Sequence, residues 1–244
     1  MPTGFDLRAK EFDTLRGAVP EKELEAVRRH LGKARTVLDV GGGTGRYAAP
    51  LAERGFQITV FDRSAPMLQQ ARKKGLHSTV RGDAARLPFL NASFDGLLMV
   101  DVLHHVGDWV SAVHEMGRVA RGPIVMSVST REPSARFVYL SVRARMGKPS
   151  GRLDGGAFAL LRILPPRDRE VVSRETIHMD FAKAIREQEF DPEHPDRPRF
   201  PEIAEAAVRE AIDEYGGSEI EGTVTCEVAR WEAENFRIFT SPRA

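Results

Sequence analysis

The sequence predicts a Rossmann-like, doubly wound α/β fold, and three observations predict it. From Thr36 onward, short apolar runs alternate with amphipathic helical stretches, the pattern of repeated βαβ units on a parallel sheet. The first run breaks into Gly41-Gly42-Gly43-Thr44-Gly45, a sharp turn whose bare backbone can approach a ligand at a strand end. The next two runs end in Asp62 and Asp83, at the edge where open α/β sheets bind ligands.

Residues 1–35 read as an N-terminal helical cap. A weak helix spans Phe5 to Leu15; Pro20 then opens a second, with Glu21, Glu23 and Glu25 in its first turns, Leu24, Val27 and Leu31 at helical spacing, and Gly32 closing it. Residues 36–130 form the core, with strands expected at Thr36 to Val40, Gln57 to Phe61, Ser78 to Arg81, Gly96 to Val100 and Ile124 to Val128. Ser64 caps the helix of Met67, Leu68 and Ala71, with Gly75 at its end, and Asp108 caps the helix of Val110, Val113 and Val119. Pro50 requires the helix after the glycine loop to start late, kink or be short.

Residues 131–215 read as a helical insertion between strands five and six. It holds a helix at Ala135 to Met146, a Gly/Pro-punctuated region through Pro165-Pro166, and a helix bearing Ile177, Phe181 and Ile185. A Pro-rich linker, Asp191 to Pro201, precedes a last helix with Ile203, Val208, Ala211, Ile212 and Tyr215. Residues 216–244 read as a β-hairpin, Ile220 to Trp231 and Asn235 to Thr240, turning at Glu232 to Glu234. The sum is one domain, 1–244, on a seven-stranded sheet that is mostly parallel with an antiparallel C-terminal hairpin strand.

Composition narrows the function classes. Hydrophobic residues make up 41% and charged residues 29%, an ordinary globular balance, and no apolar run nears the ~18 residues of a membrane span. The Met-Pro-Thr-Gly-Phe-Asp start lacks a signal-peptide pattern, so a cytoplasmic location is expected. The single cysteine, Cys226, alternates with Val224 and Val228 as on the inward face of a strand. A net charge of +1 argues against wholesale nucleic-acid affinity, yet residues 131–176 carry ten Lys/Arg against five Asp/Glu, and 177–234 carry six against sixteen. Two solvated faces account for this, and so does a binding patch. The other histidines, His30, His77, His114, His178 and His194, lack metal-ligand spacing, so no metal is expected.

The glycine loop leaves a dinucleotide and a nucleoside in competition. A dinucleotide loop wants G-x-G-x-x-G, but Arg46 stands where its last small residue belongs, and the spacing is G-x-G-x-G. Asp39, two residues before the loop, would repel a pyrophosphate and attract an ammonium group. Asp62 lies about twenty residues beyond the loop, placed for two ribose hydroxyls, and Asp83 with Ala84 offers a carboxylate and an N–H to an adenine. Each acid alone is also a plain strand-end or capping carboxylate. Together they match three groups of one ligand.

These residues resemble the class I S-adenosylmethionine-dependent methyltransferases, in particular the branch of quinone-biosynthesis C-methyltransferases and tRNA wobble-uridine methyltransferases. The resemblance rests on Val37-Leu38-Asp39-Val40-Gly41-Gly42-Gly43-Thr44-Gly45, Phe61-Asp62-Arg63-Ser64, Gly82-Asp83-Ala84 with Leu87-Pro88-Phe89, Ser93-Phe94-Asp95, and Asp101-Val102-Leu103-His104-His105-Val106, with Glu115 and Arg118. It covers roughly residues 36–130. It departs mildly at Gly42, where cysteine or another small residue is usual, and at Arg121-Gly122-Pro123, a reduced Pro-Gly-Gly. It implies S-adenosyl-L-methionine as cofactor, S-adenosyl-L-homocysteine as product, and a cofactor set of Asp39, Gly41, Gly42, Gly43, Gly45, Asp62, Arg63, Met67, Asp83, Ala84 and Asp101.

Methyl transfer from a sulfonium releases a neutral thioether, so the protein must chiefly align the acceptor and, where needed, take its proton. His104 and His105, after the fourth strand, are the catalytic candidates, with a pKa in the useful range; each is equally readable as a cap or packing residue. A small-molecule acceptor is expected, walled in by the 131–215 insertion and by Phe5 and Phe12 as lid aromatics. RNA is the second reading, through Arg136, Arg143, Arg145, Lys148 and Arg152, with Phe137, Tyr139 and Phe158 as stacking residues. A cofactor-binding protein without transferase activity is the third, and a nicotinamide oxidoreductase a distant fourth. Nothing in the sequence sets the oligomeric state.

Overall fold

The computed structural model describes residues 4–131, 160–161, 163–180, 200–217 and 219–237. Two short helices, α1 (Gly4–Arg8) and α2 (Phe12–Arg16), stand where one weak helix was expected, and α3 (Glu21–Leu31) follows behind Pro20. The alternating core is β1 (Thr36–Val40), α4 (Ala48–Glu53), β2 (Gln57–Asp62), α5 (Ala65–Lys73), β3 (Thr79–Arg81) and β4 (Gly96–Val100). After it come α6 (Trp109–Val119), β5 (Pro123–Arg131), β6 (Asp168–Asp180), α7 (Phe200–Tyr215), β7 (Glu219–Glu232) and α8 (Ala233–Arg237).

The sheet has seven strands in the order β3-β2-β1-β4-β5-β7-β6. Strands β1 to β5 pair in parallel, with Asp39 opposite Val60 and Leu98, and the order reverses at β1, the switch point of a doubly wound sheet. Arg167 N donates to the Arg230 carbonyl at 2.8 Å and Arg169 pairs with Glu227, a register that runs β6 and β7 antiparallel.

Local chemistry explains the elements. Ser64 Oγ accepts from Met67 N at 3.3 Å and Asp108 Oδ1 accepts from Ser111 N at 3.0 Å, the two expected N-caps. Helix α4 begins at Ala48, so Pro50 falls in its first turn, where a missing N–H costs nothing, and the helix ends after six residues.

Two expectations are corrected. Residues 168–180, expected within a helical insertion, form β6; its charged side chains Arg169 and Glu170 had hidden a strand whose partners lie on β7 and α3. The expected second strand of the C-terminal hairpin gives way to α8. Phe236, fully buried, packs there edge-to-face against Trp231 with centroids 5.9 Å apart, and Gly117 of α6 leaves room for it, since a β-carbon would come within 2.5 Å of Phe236 Cβ. Residues 238–240, and the helices expected at Ala135 to Met146 and through Phe181 and Ile185, lie outside the described residues.

The chain divides into two compact units: Met1–Val128, Asp154–Val172 and Glu227–Ala244 form one, and Ser129–Leu153 with Ser173–Cys226 the other. The first has a continuous core in which Val113, Met116 and Val119 of α6 join Leu97, Met99, Ile124 and Met126 of the sheet, with Trp231 and Phe236. In the second, α7 buries Ala207 and Val208. Among the described residues no helix is long and apolar enough to cross a membrane.

Candidate cofactor and methyl-transfer site

The glycine loop folds back on the neighbouring strand. Gly41 N and Gly42 N donate to the Phe61 carbonyl at 2.7 and 3.2 Å, and Gly41, Gly43 and Gly45 take φ of +74°, +56° and +73°. A β-carbon on Gly41 would lie 2.5 Å from Val102, and one on Gly45 would lie 2.2 Å from Leu76, so both glycines are fixed by close packing. Gly43 differs. Its nearest neighbours would be Asp62 Oδ2 and Met67 Sδ, both at 3.9 Å, so it faces an open cradle walled by those two residues.

Asp62 holds that cradle in shape. Its Oδ2 accepts from Gly43 N at 2.9 Å and its Oδ1 from Ser64 N at 2.7 Å. Burial raises its pKa, while these backbone bonds pull the other way. Asp39 lies beneath the loop, 2% exposed, with a β-carbon on Gly42 due within 2.4 Å of its Oδ2. That oxygen has no hydrogen-bond partner. Burial, and then the nearby Asp62, push Asp39 up to about 7. An orphaned carboxylate oxygen under a loop with an open glycine cradle fits a ligand bearing a positive charge at that end.

Asp83 Oδ1 accepts from Ala85 N at 2.9 Å, turning the chain so that Ala84 packs on the core. The Glu115 and Arg118 pair supports this turn: Leu87 N donates to Glu115 Oε2 at 2.7 Å, and Arg118 donates to the carbonyls of Leu87 and Phe89 at 2.9 and 2.8 Å. Arg63 stands apart, exposed, its carbonyl taking a bond from Arg81 Nε at 3.0 Å.

At the end of β4, Asp101 sits at φ +50°, a conformation that is uncommon outside glycine, and its N–H donates to the Ser127 carbonyl at 3.0 Å. A short 3-10 turn, Leu103–His105, then brings the two histidine rings together, with centroids 4.0 Å apart and planes tilted by 49°. Burial lowers the pKa of both, and His104 adds its repulsion to push His105 to about 4, although His105 keeps an exposed edge. Both rings are thus neutral near pH 7, with His105 a weaker base than the sequence suggested. Phe5 of α1 meets His105 edge-to-face at 5.0 Å and Phe12 of α2 at 6.5 Å.

Sequence reasoning missed how the N-terminal segment is strapped to this site. Ser64 Oγ donates to Asp6 Oδ1 at 2.5 Å, Thr44 Oγ1 to Asp13 Oδ1 at 2.6 Å, and Lys74 pairs with Asp13 at 2.5 Å. Arg46, read only as an interruption of the dinucleotide spacing, donates to the carbonyls of Arg16, Gly17 and Ala18 at 3.3, 2.8 and 3.2 Å. It missed Glu23, Tyr47 and Ser127 too; the only signal was an acid on the apolar side of α3. The basic residues Arg136, Arg143, Arg145, Lys148 and Arg152 lie outside the described residues. Among the described residues no group of His, Cys, Asp and Glu could hold a metal.

Comparison with known proteins follows the same lines. Residues 38–122 match the family described as methyltransferase domain. A demethylmenaquinone methyltransferase from Mycobacterium sp. (strain KMS) is 30% identical over 158 residues, covering 64% of this chain and 62% of that protein, so the chain spans less than two thirds of its relative. A ubiquinone biosynthesis O-methyltransferase from Alkalilimnicola ehrlichii is 32% identical over 122 residues, 46% of this chain and 49% of the other. The fold is shared with a crystal structure from Bacillus halodurans at a TM-score of 0.59 and 18% identity, covering 86% of this chain and 98% of that one.

Proposed function

We propose, on the premise that this chain belongs to the class I S-adenosylmethionine-dependent methyltransferases, that it transfers a methyl group from S-adenosylmethionine to a small aromatic acceptor akin to the quinones in its relatives' names. The observation that carries this reading is the cradle between Gly43 and Asp62, with the unpartnered Asp39 oxygen beneath it.

The cofactor supplies an electrophilic methyl on a sulfonium. Asp62, already held by Gly43 and Ser64, keeps acceptor capacity for ribose hydroxyls, and Asp39 sets a negative potential where the ligand carries its ammonium. Asp83 and Ala84 form the adenine end. Beside Asp101, the neutral rings of His104 and His105 orient the acceptor and accept a proton where it has one to lose, and Phe5 supplies an apolar wall.

The test is incubation of the protein with S-adenosylmethionine bearing a deuterated methyl and a whole-cell extract, which is then separated into lipid-soluble, polar small-molecule and RNA fractions and read by mass spectrometry. The expected result is label in a quinone-like small molecule. Label in the RNA fraction would overturn the small-molecule reading, and no release of S-adenosylhomocysteine with any extract would overturn transferase activity.

A further inference from the structure

Glu23 is the one buried carboxylate of the N-terminal helix α3, and it joins two walls of the site. It is 8% exposed, and its Oε1 accepts from Tyr47 Oη at 2.6 Å and from Ser127 Oγ at 2.7 Å. Tyr47 stands two residues beyond Gly45, at the head of α4. Ser127 lies on β5 opposite Val100, and its carbonyl is the acceptor for Asp101 N at 3.0 Å. A continuous chain of contacts thus runs from the glycine loop through Tyr47, Glu23 and Ser127 to the strained backbone of Asp101.

Packing alone does not call for a carboxylate here. Leu24, Val27 and Leu31 already seat α3 on the core, and burying a carboxyl group is costly unless its partners are worth having. Its position gives it a use. In the strand order β3-β2-β1-β4-β5, Asp62 and Asp83 occupy the β2 and β3 side, so a nucleoside lies there and the amino-acid end of the cofactor falls over β1 and β4. That is the side on which the Glu23 chain closes.

We propose that Glu23 is a positioning residue for the amino-acid end of S-adenosylmethionine: by bridging Tyr47 and Ser127 it holds the glycine-loop helix and Asp101 at the separation that end requires. This inference rests on the cofactor reading above. It assigns Glu23 no contact with the nucleoside.

The experiment compares two ligands by calorimetry: S-adenosylhomocysteine, which has the amino-acid end, and 5′-methylthioadenosine, which lacks it. Glu23→Ala is expected to weaken S-adenosylhomocysteine about tenfold, the scale of one or two hydrogen bonds, and to leave methylthioadenosine within about twofold. Glu23→Gln, whose amide oxygen still accepts from both hydroxyls, is expected to recover most of the loss. Should Glu23→Ala not fold, the double variant Tyr47→Phe, Ser127→Ala removes both donors and is expected to show the same selective loss.

Equal weakening of both ligands, or of neither, in whichever of these variants folds would overturn the inference. So would a Glu23→Gln variant no better than Glu23→Ala. Wild-type protein that binds neither ligand would instead overturn the cofactor reading, and the inference with it.

Discussion

The backbone N–H of Gly43 donates to Asp62 Oδ2 at 2.9 Å, which makes the glycine loop and the end of β2 one hydrogen-bonded unit. A change on either side therefore reaches the other. Asp62→Ala removes the acceptor for Gly43 and, on the proposed cofactor reading, for the ribose as well, and hydrogen bonds to charged groups contribute about 1.5–3 kcal/mol each. Gly43→Val fills the cradle and strains a backbone at φ +56°. Each variant is expected to lose about a hundredfold or more in calorimetric affinity for S-adenosylhomocysteine, at about 1.4 kcal/mol per tenfold. Unchanged affinity in both would be decisive against this site.

The buried carboxyl of Asp39 gives the site a pH dependence. Its folded value of about 7 lies above the unfolded 3.8, so the folded chain binds the proton more tightly. Its contribution to stability is present below about 4 and is lost as pH rises toward 7. A ligand ammonium beside it favours the ionised form and reverses the sign for binding: affinity for S-adenosylhomocysteine should rise from pH 6 to pH 8, with proton release on binding. Calorimetry in buffers of different ionisation heats reads that proton directly. In Asp39→Asn both the release and the pH slope should disappear; if they persist, another group is titrating.

The histidines lead to a kinetic expectation. Burial lowers both: His105, pushed to about 4, stays neutral from pH 6 to pH 9, and His104 loses its charge below the ordinary histidine value of 6.5. The kcat profile over that range should lack a limb near 6.5, while KM for the cofactor carries the limb from Asp39. His104→Ala and His105→Ala should each lower kcat with little change in cofactor affinity, as expected of groups that meet the acceptor. A kcat limb near 6.5 that vanishes in either variant would contradict these environments.

What was legible in the sequence followed from local chemistry. Gly96–Val100 carries an uninterrupted apolar run and Thr36–Val40 one broken only by Asp39, and the caps Ser64 and Asp108 act on amides three residues away. What was not legible depends on distant partners. Glu23 looks like a first-turn helix acid until Tyr47 and Ser127, 24 and 104 positions away, come to it. The alternating Asn235 to Thr240 segment looks like a strand until Phe236 finds Trp231 and the bare face of Gly117. Arg46 in one dimension only spoils a spacing; in three it ties Arg16, Gly17 and Ala18 to the glycine loop.

Asp95, from the Ser93-Phe94-Asp95 motif, is expected to govern acid stability rather than catalysis. Its carboxylate accepts from Arg35 N at 3.1 Å, Thr36 N at 2.9 Å and Arg121 Nε at 2.9 Å, clasping the start of β1 to the start of β4. The Thr36 bonds and the Arg121 guanidinium hold it down to about 2. With the folded value below the unfolded 3.8, its stabilisation is complete above about 4 and is lost as pH falls through 2. Urea midpoints should therefore fall from pH 4 to pH 2 in the wild type. Asp95→Asn should be less stable at pH 7, by about 1–3 kcal/mol, and should show a shallower acid slope. Equal slopes in the two proteins would mean that acid unfolding is driven by other carboxylates.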